Sequence, residues 1–214
     1  MKQLLILFFT FCLLLSCNKR FIQLPETTNK DITEVIDVSP VYMFYNEETD
    51  SVEFNRRNMI SSTNWLVNID KRLTLKQILP HLQYLQEKRK GDGMHKNKNA
   101  LNYFTCNNTN LKNLSFIEFT DIKYVESQNS MINSESDIYI RVYEDGTISP
   151  LHDMHKGYDS IASLNDYFET HSEKKLVLSF HENLTFQNYI NIKTQIIEID
   201  SLPITLSNDE FIFN

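Results

Sequence analysis

Two places in this 214-residue chain gather side chains able to do acid–base or ligand chemistry. His152 and His155, with Asp153 and Asp159 close by, form a His/Asp cluster in a stretch without a regular period. A metal site wants three or four ligands oriented by a further layer of hydrogen bonds. This spacing supplies a loosely held pair, so these residues read as solvated loop side chains, and neither a metal nor another cofactor is expected. His181 and Glu182 follow an apolar run, Leu176 to Phe180, and strand ends of open α/β sheets are where such folds present ligand groups. They read either as a site for a polar ligand or as a polar loop capping the next helix. Cys106 has no basic neighbour in sequence to lower its pKa, so it reads as a small, partly buried residue rather than a reactive thiol. The patterns of nucleophile elbows, zinc helices and phosphate loops are absent, and four glycines leave no material for a phosphate cradle. No catalytic residue is assigned.

The elements that must position these groups follow from periodicity. Val41, Met43 and Tyr45 alternate with polar or aromatic neighbours and the alternation resumes at Val52 and Phe54, a hairpin signal; Trp65, Val67 and Ile69 mark a third strand. Thr74 with Gln77 forms a capping box ahead of Leu75, Ile78, Leu79, Leu82 and Leu85 at helical spacing, and Lys88, Arg89 and Lys90 before Gly91 stop that helix. Pro80 lies inside it and is expected to kink it, and His81 is expected at its surface. Residues 91–113, rich in Asn and Lys, read as a long loop before a strand at Leu114 to Phe119. The polar stretch 127–136 reads as a boundary. In the second half Ile138, Ile140 and Val142 alternate with Tyr139, Arg141 and Tyr143, and Gly146 can supply the positive φ of a hairpin turn. A capped helix carries Ile161, Leu164 and Phe168; a strand carries Leu176, Leu178 and Phe180; a second helix carries Phe186, Tyr189, Ile190, Lys193 and Ile196; Phe211 to Phe213 close the order. The fold class expected is α+β, a mixed sheet with helices on one face, with two related α/β sub-units in tandem as the variant if residues 64–120 are a decayed repeat.

Hydrophobic residues at 41%, aromatic at 12% and charged at 23% describe a folded body. A net charge of −7 argues against nucleic acid as a partner. Lys2 precedes an apolar run from Leu4 to Leu15, too short for the roughly 20 residues of a spanning helix and suited to an export signal over residues 1–16. The run ends in Leu14, Leu15, Ser16, Cys17, which resembles the lipobox of bacterial lipoproteins. That resemblance implies acylation of Cys17 and a protein anchored to a membrane without spanning it. Asn18, Lys19 and Arg20 after it lack an acidic surface-export tag, which points to the periplasm. Residues 17–39 then read as a lipidated N-terminus and tether, 40–126 as one α/β sub-domain and 137–214 as a second. With Cys12 in the leader and Cys17 acylated, Cys106 has no disulfide partner.

The run IYIRVYEDGT (138–147), the helix around Leu164, LVLSF (176–180), the helix from Phe186 and the final strand resemble the periplasmic domain of the ExbD/TolR family of energy-transducing stators. Asp145 and Gly146 match the family's turn, and Phe186 to Tyr189 fall near its aromatic position. Proton coupling is not implied, because the segment Leu4 to Leu15 has no acidic residue. What the resemblance implies is a non-catalytic, membrane-anchored module that binds an envelope protein, accessory to a biopolymer transport system, with oligomeric state open. Tyr139, Arg141 and Tyr143 are the residues expected to face the partner, since Tyr and Arg are enriched among residues that dominate binding energy. The competing reading is a lipid-anchored periplasmic hydrolase built on His155, Asp159 and His181.

Overall fold

The computed structural model describes residues 20–91, 97–126, 137–151, 156–199 and 204–214. They form an α+β fold of two related units, each a mixed sheet. The elements run β1 (Glu26–Thr27), β2 (Val38–Asn46), β3 (Ser51–Asn55), β4 (Asn64–Ile69), α1 (Leu75–Lys90), β5 (Asn102–Asn108), β6 (Asn113–Glu118) and β7 (Lys123–Glu126). They continue with β8 (Asp137–Val142), β9 (Ile148–Pro150), a 3₁₀ turn (Ile161–Leu164), α2 (Asn165–Glu169), β10 (Lys175–His181), α3 (Phe186–Ile197) and β11 (Thr205–Phe213).

Each unit is a hairpin followed by a β–α–β crossover. In the first, β2 pairs antiparallel with β3 and parallel with β4, and β4 pairs parallel with β5 after α1. In the second, β8 pairs antiparallel with β9 and parallel with β10, and β10 pairs parallel with β11 after α3. The repeat extends to residues. Leu73-Thr74-Leu75 in one unit matches Leu184-Thr185-Phe186 in the other, and Thr74 and Thr185 each cap their helix through the side chain. These two caps meet. Leu75 N–H donates to Leu184 O at 3.0 Å and Phe186 N–H to Leu73 O at 2.7 Å; Lys76 N–H donates to Glu182 O at 2.7 Å and Gln187 N–H to Lys71 O at 3.1 Å. The reciprocal pattern is that of a local two-fold axis through the Thr74–Thr185 bridge.

One core serves both units. Val41, Trp65, Val67, Ile78, Leu82 and Phe104 belong to the same buried cluster as Ile140, Leu178, Phe180, Phe186, Tyr189 and Ile190. The ring of Phe104 meets those of Phe186 and Tyr189 edge-on at 5.2 and 6.0 Å, and Tyr189 in turn meets Phe180 at 5.0 Å. As expected, Leu176, Leu178 and Phe180 turn inward together with Leu164 and Ile190.

Three expectations are corrected. The supposed loop 91–113 contains β5, a central strand of its sheet. Its asparagines hid it: Asn102 accepts from the buried Arg89 Nε at 2.9 Å and Asn108 donates to Asn29 O at 2.7 Å, so polar side chains stand inside the fold where periodicity looks for apolar ones. The supposed tether is held to the body from Gln23 to Asn29. There, Lys71 N–H donates to Gln23 O at 2.7 Å, β1 pairs with the end of β5, and the buried Thr27 hydroxyl meets that of Thr194 at 2.7 Å. A two-residue strand carries no period to detect. The boundary between units also moves, because β7 pairs parallel with β11 in the second sheet. The stretch 127–136 lies outside the described residues.

Candidate functional site

Inner positions of the second sheet feed the core, so by alternation Tyr139, Arg141 and Tyr143, Val177, Ser179 and His181, and Phe211 and Phe213 lie on the face turned away from the helices. Tyr139 and Val177 form a small apolar cluster there with Leu151 and Phe211, separate from the main core. Tyr139 is 7% exposed, so its side chain is mostly covered; Arg141 and Tyr143 are half-buried and accessible. Burial raises the pKa of the Tyr139 hydroxyl, with Asp137 adding to the effect.

Towards the carboxyl ends of β8, β10 and β11 this face becomes a groove of about 670 Å³, lined by Tyr143, Glu144, Asp145, Thr147 and His181. The hairpin turn forms one wall. Tyr143 N–H donates to Thr147 O at 2.9 Å, Gly146 takes φ 87°, and the Asp145 carboxylate accepts from Thr147 N–H at 2.9 Å, which holds its pKa below the usual range. Phe213 lies beside the groove: the rings of Tyr143 and His181 meet it edge-on at 5.9 and 5.4 Å, and the Arg141 guanidinium stacks over it at 4.9 Å. Two buried polar atoms on this face, Arg141 Nε and Ser179 Oγ, have no hydrogen-bond partner among the described residues. Arg141 and Ser179 are opposed in the register.

Among the described residues no hydrogen bond joins Ser179 to His181 or Glu182. His181 Nδ1 accepts from Asn183 N–H at 3.2 Å, which leaves Nε2 as the protonated nitrogen, and Ser179 Oγ bonds to nothing described. Glu182 does not join His181; it pairs with Lys76 at 2.7 Å across the two units. Asp159 is exposed and absent from the groove's described lining, while Cys17, His152, Asp153 and His155 lie outside the described residues. Among the described residues no group of three His, Cys, Asp or Glu could hold a metal ion, and no helix is long and apolar enough to cross a membrane. Cys106 is fully buried, with its thiol pushed up to about 12 by desolvation.

Strand β8 pairs with β10 from Asp137 to Val142 and with β9 from Ile140 to Val142, so over the latter span it is an inner strand and offers side chains rather than a free backbone edge. Sequence reasoning also missed the polar centre under the sheet. Lys193 Nζ donates to Glu210 at 2.5 Å, Tyr189 Oη donates to the other carboxylate oxygen at 2.8 Å, and Tyr124 and Tyr189 hydroxyls lie 3.2 Å apart. The available signal was a lysine on the apolar stripe of α3.

The fold and groove define a tandem pair of α/β units with an accessible aromatic and charged face on the second. No family model matches the chain, and no curated protein and no solved structure matches it significantly.

Proposed function

We propose that this protein is a non-catalytic envelope lipoprotein, held to a membrane by acylation at Cys17 and facing the periplasm, whose second unit binds another envelope protein. The ExbD/TolR-like order of residues 137–214 suggests a place beside a biopolymer transport apparatus. The observation that carries the reading is the face of the second sheet on which no described helix packs. It keeps Arg141 and Tyr143 accessible beside Phe213 and His181, with Arg141 Nε unpaired among the described residues, which suits a surface completed by a partner.

Labelling cells with a fatty-acid analogue tests the anchor: the wild type takes up label, Cys17→Ala does not and leaves the membrane fraction. Affinity capture with an Arg141→Ala, Tyr143→Ala double variant tests the face. Loss of a partner held by the wild type is expected, and an unchanged partner set overturns it. A hydrolytic activity abolished by His181→Ala would replace the binding reading with the enzymatic one.

A further inference from the structure

The N-terminal segment is fastened to the first unit at a defined point, and that point limits how the molecule can sit on a bilayer. Gln23 is held on both sides of its residue: its N–H donates to Asp70 at 3.2 Å and its carbonyl accepts from Lys71 N–H at 2.7 Å. Asp70 is fully buried and gripped by Arg72 Nε at 2.9 Å. Six residues lead from Cys17 to Gln23, so even fully extended they span about 20 Å. A body of this length is about 40 Å across. A lipid on Cys17 is therefore on a leash shorter than the body it holds, and the side opposite Gln23 cannot turn to the membrane.

Exposed apolar side chains mark two opposite ends of the first sheet. Strands β2, β4 and β5 run parallel, so the turns that follow them share one end. Phe21 lies at that end, two residues before Gln23, in a groove of about 490 Å³ with Phe44, Tyr45 and Arg72. Leu111 lies in the turn after β5, and Leu114 pairs with Asn107 near the last residue of that strand. The other end carries Ile36, Val38 and Ile60. Val38 opens β2, Ile36 O accepts from Asn64 Nδ2 at 2.9 Å where β4 begins, and Ile60 O accepts from Trp65 Nε1 at 2.8 Å. These six are the large apolar side chains left exposed among the described residues, and Phe21, 68% exposed, is the aromatic one. The leash starts at the end that carries Phe21.

Charge at this end does not oppose a lipid surface. Of the three carboxylates lining the groove beside Phe21, Glu47 pairs with Arg72 and Glu53 with Arg20 at 3.4 Å. Lys112, exposed next to Leu111, has a stem long enough to cover apolar contact while its ammonium stays at the level of the phosphates.

Resting on the acylation of Cys17, we propose that the end of the first sheet bearing Phe21, Leu111 and Leu114 is a membrane-contact face, seated on the phospholipid bilayer with Phe21 and Leu111 in the headgroup boundary. The acyl chains supply affinity and the face supplies orientation: apolar side chains leave water only when this end is turned down, and the short leash keeps it there. The body is thus seated on the membrane rather than lifted away from it.

The test uses the acylated full chain reconstituted in phosphatidylcholine vesicles, with and without bromine on the lipid acyl chains. Trp65 is fully buried and gives a constant background. Phe21→Trp and Leu111→Trp are each expected to lose their added emission to the brominated lipid, and Ile36→Trp, at the opposite end, to keep it. All three positions are exposed, so the thermal transition should stay that of wild type. The proposal is overturned if either Phe21→Trp or Leu111→Trp keeps its emission, or if Ile36→Trp loses it, in protein that floats with the vesicles; the anchor then stands. Wild type that fails to float with them overturns the anchor, and the contact face with it.

Discussion

Glu210 and Lys193 occupy positions that the first unit fills with apolar groups. Glu210 stands opposite Leu178 where Phe104 stands opposite Val67, and Lys193 on α3 corresponds to Leu82 on α1. Their side chains are 1% and 6% exposed, and Tyr189 and Tyr124 complete the network. Desolvation, then the charge of Glu210, raises both tyrosine pKa values, so both hydroxyls stay protonated. Removing one charge strands the other: Glu210→Gln is expected to cost about 3 to 5 kcal/mol in urea denaturation, and Lys193→Met with Glu210→Gln to cost less than that single change. His81 gives a second prediction. It is half-buried under the Phe54 ring at 4.5 Å rather than at the surface, and burial followed by Arg56 lowers its pKa below 6.5. A base whose folded pKa is depressed binds its proton more weakly in the native state, so its contribution to stability falls as pH drops through 6.5 towards the lower folded value. Denaturation at pH 7.5 and 5.5 should therefore show a smaller acid loss in His81→Phe than in wild type.

At the scale of elements, the caps both start the helices and join the units. Thr185 Oγ1 accepts from Asn188 N–H at 3.3 Å, and the turn it stabilises places Phe186 N–H on Leu73 O. Thr185→Ala is expected to cost about 1 kcal/mol by chemical denaturation, at or above the ordinary loss of an N-cap, because the inter-unit bridge depends on the same turn. On β10, Leu178 is 1% exposed within the shared core. Leu178→Ala should cost about 2 to 5 kcal/mol by the same measurement, and a change below 1 kcal/mol would mean this strand is not packed as described.

For the whole molecule, the shared cluster ties the stability of one unit to the other. Trp65, the single tryptophan, lies in the first unit under the stacked guanidinium of Arg89 at 3.6 Å, while both units contribute to the far-ultraviolet circular dichroism. Urea curves followed by the two signals should coincide, because neither sheet can expose its inner face without uncovering Phe104, Phe186 and Tyr189 together. Separate transitions would show two independently stable units.

The sequence alone determined the elements whose signal is local. The capping box at Thr74, the turn at Gly146 and the alternation through Leu176, Leu178 and Phe180 are written in neighbouring residues, and the α+β class followed from the order of such elements, with two related units only as its variant. The accessible side of β8 was legible in part, since alternation puts Tyr139, Arg141 and Tyr143 on one face but cannot say that Tyr139 is covered. The tertiary structure alone decided the rest. Strand β5 is stabilised by side-chain bonds from distant residues, Arg89 and Asn29, that replace the apolar pattern. Strand β7 takes its sheet from a parallel partner far along the chain, and Glu26 and Thr27 are held by contacts to α3. The candidate groove belongs to the same class: Tyr143 and Thr147 come from the β8–β9 hairpin, His181 from β10 and Phe213 from β11, and the parallel register of β8, β10 and β11 brings them together.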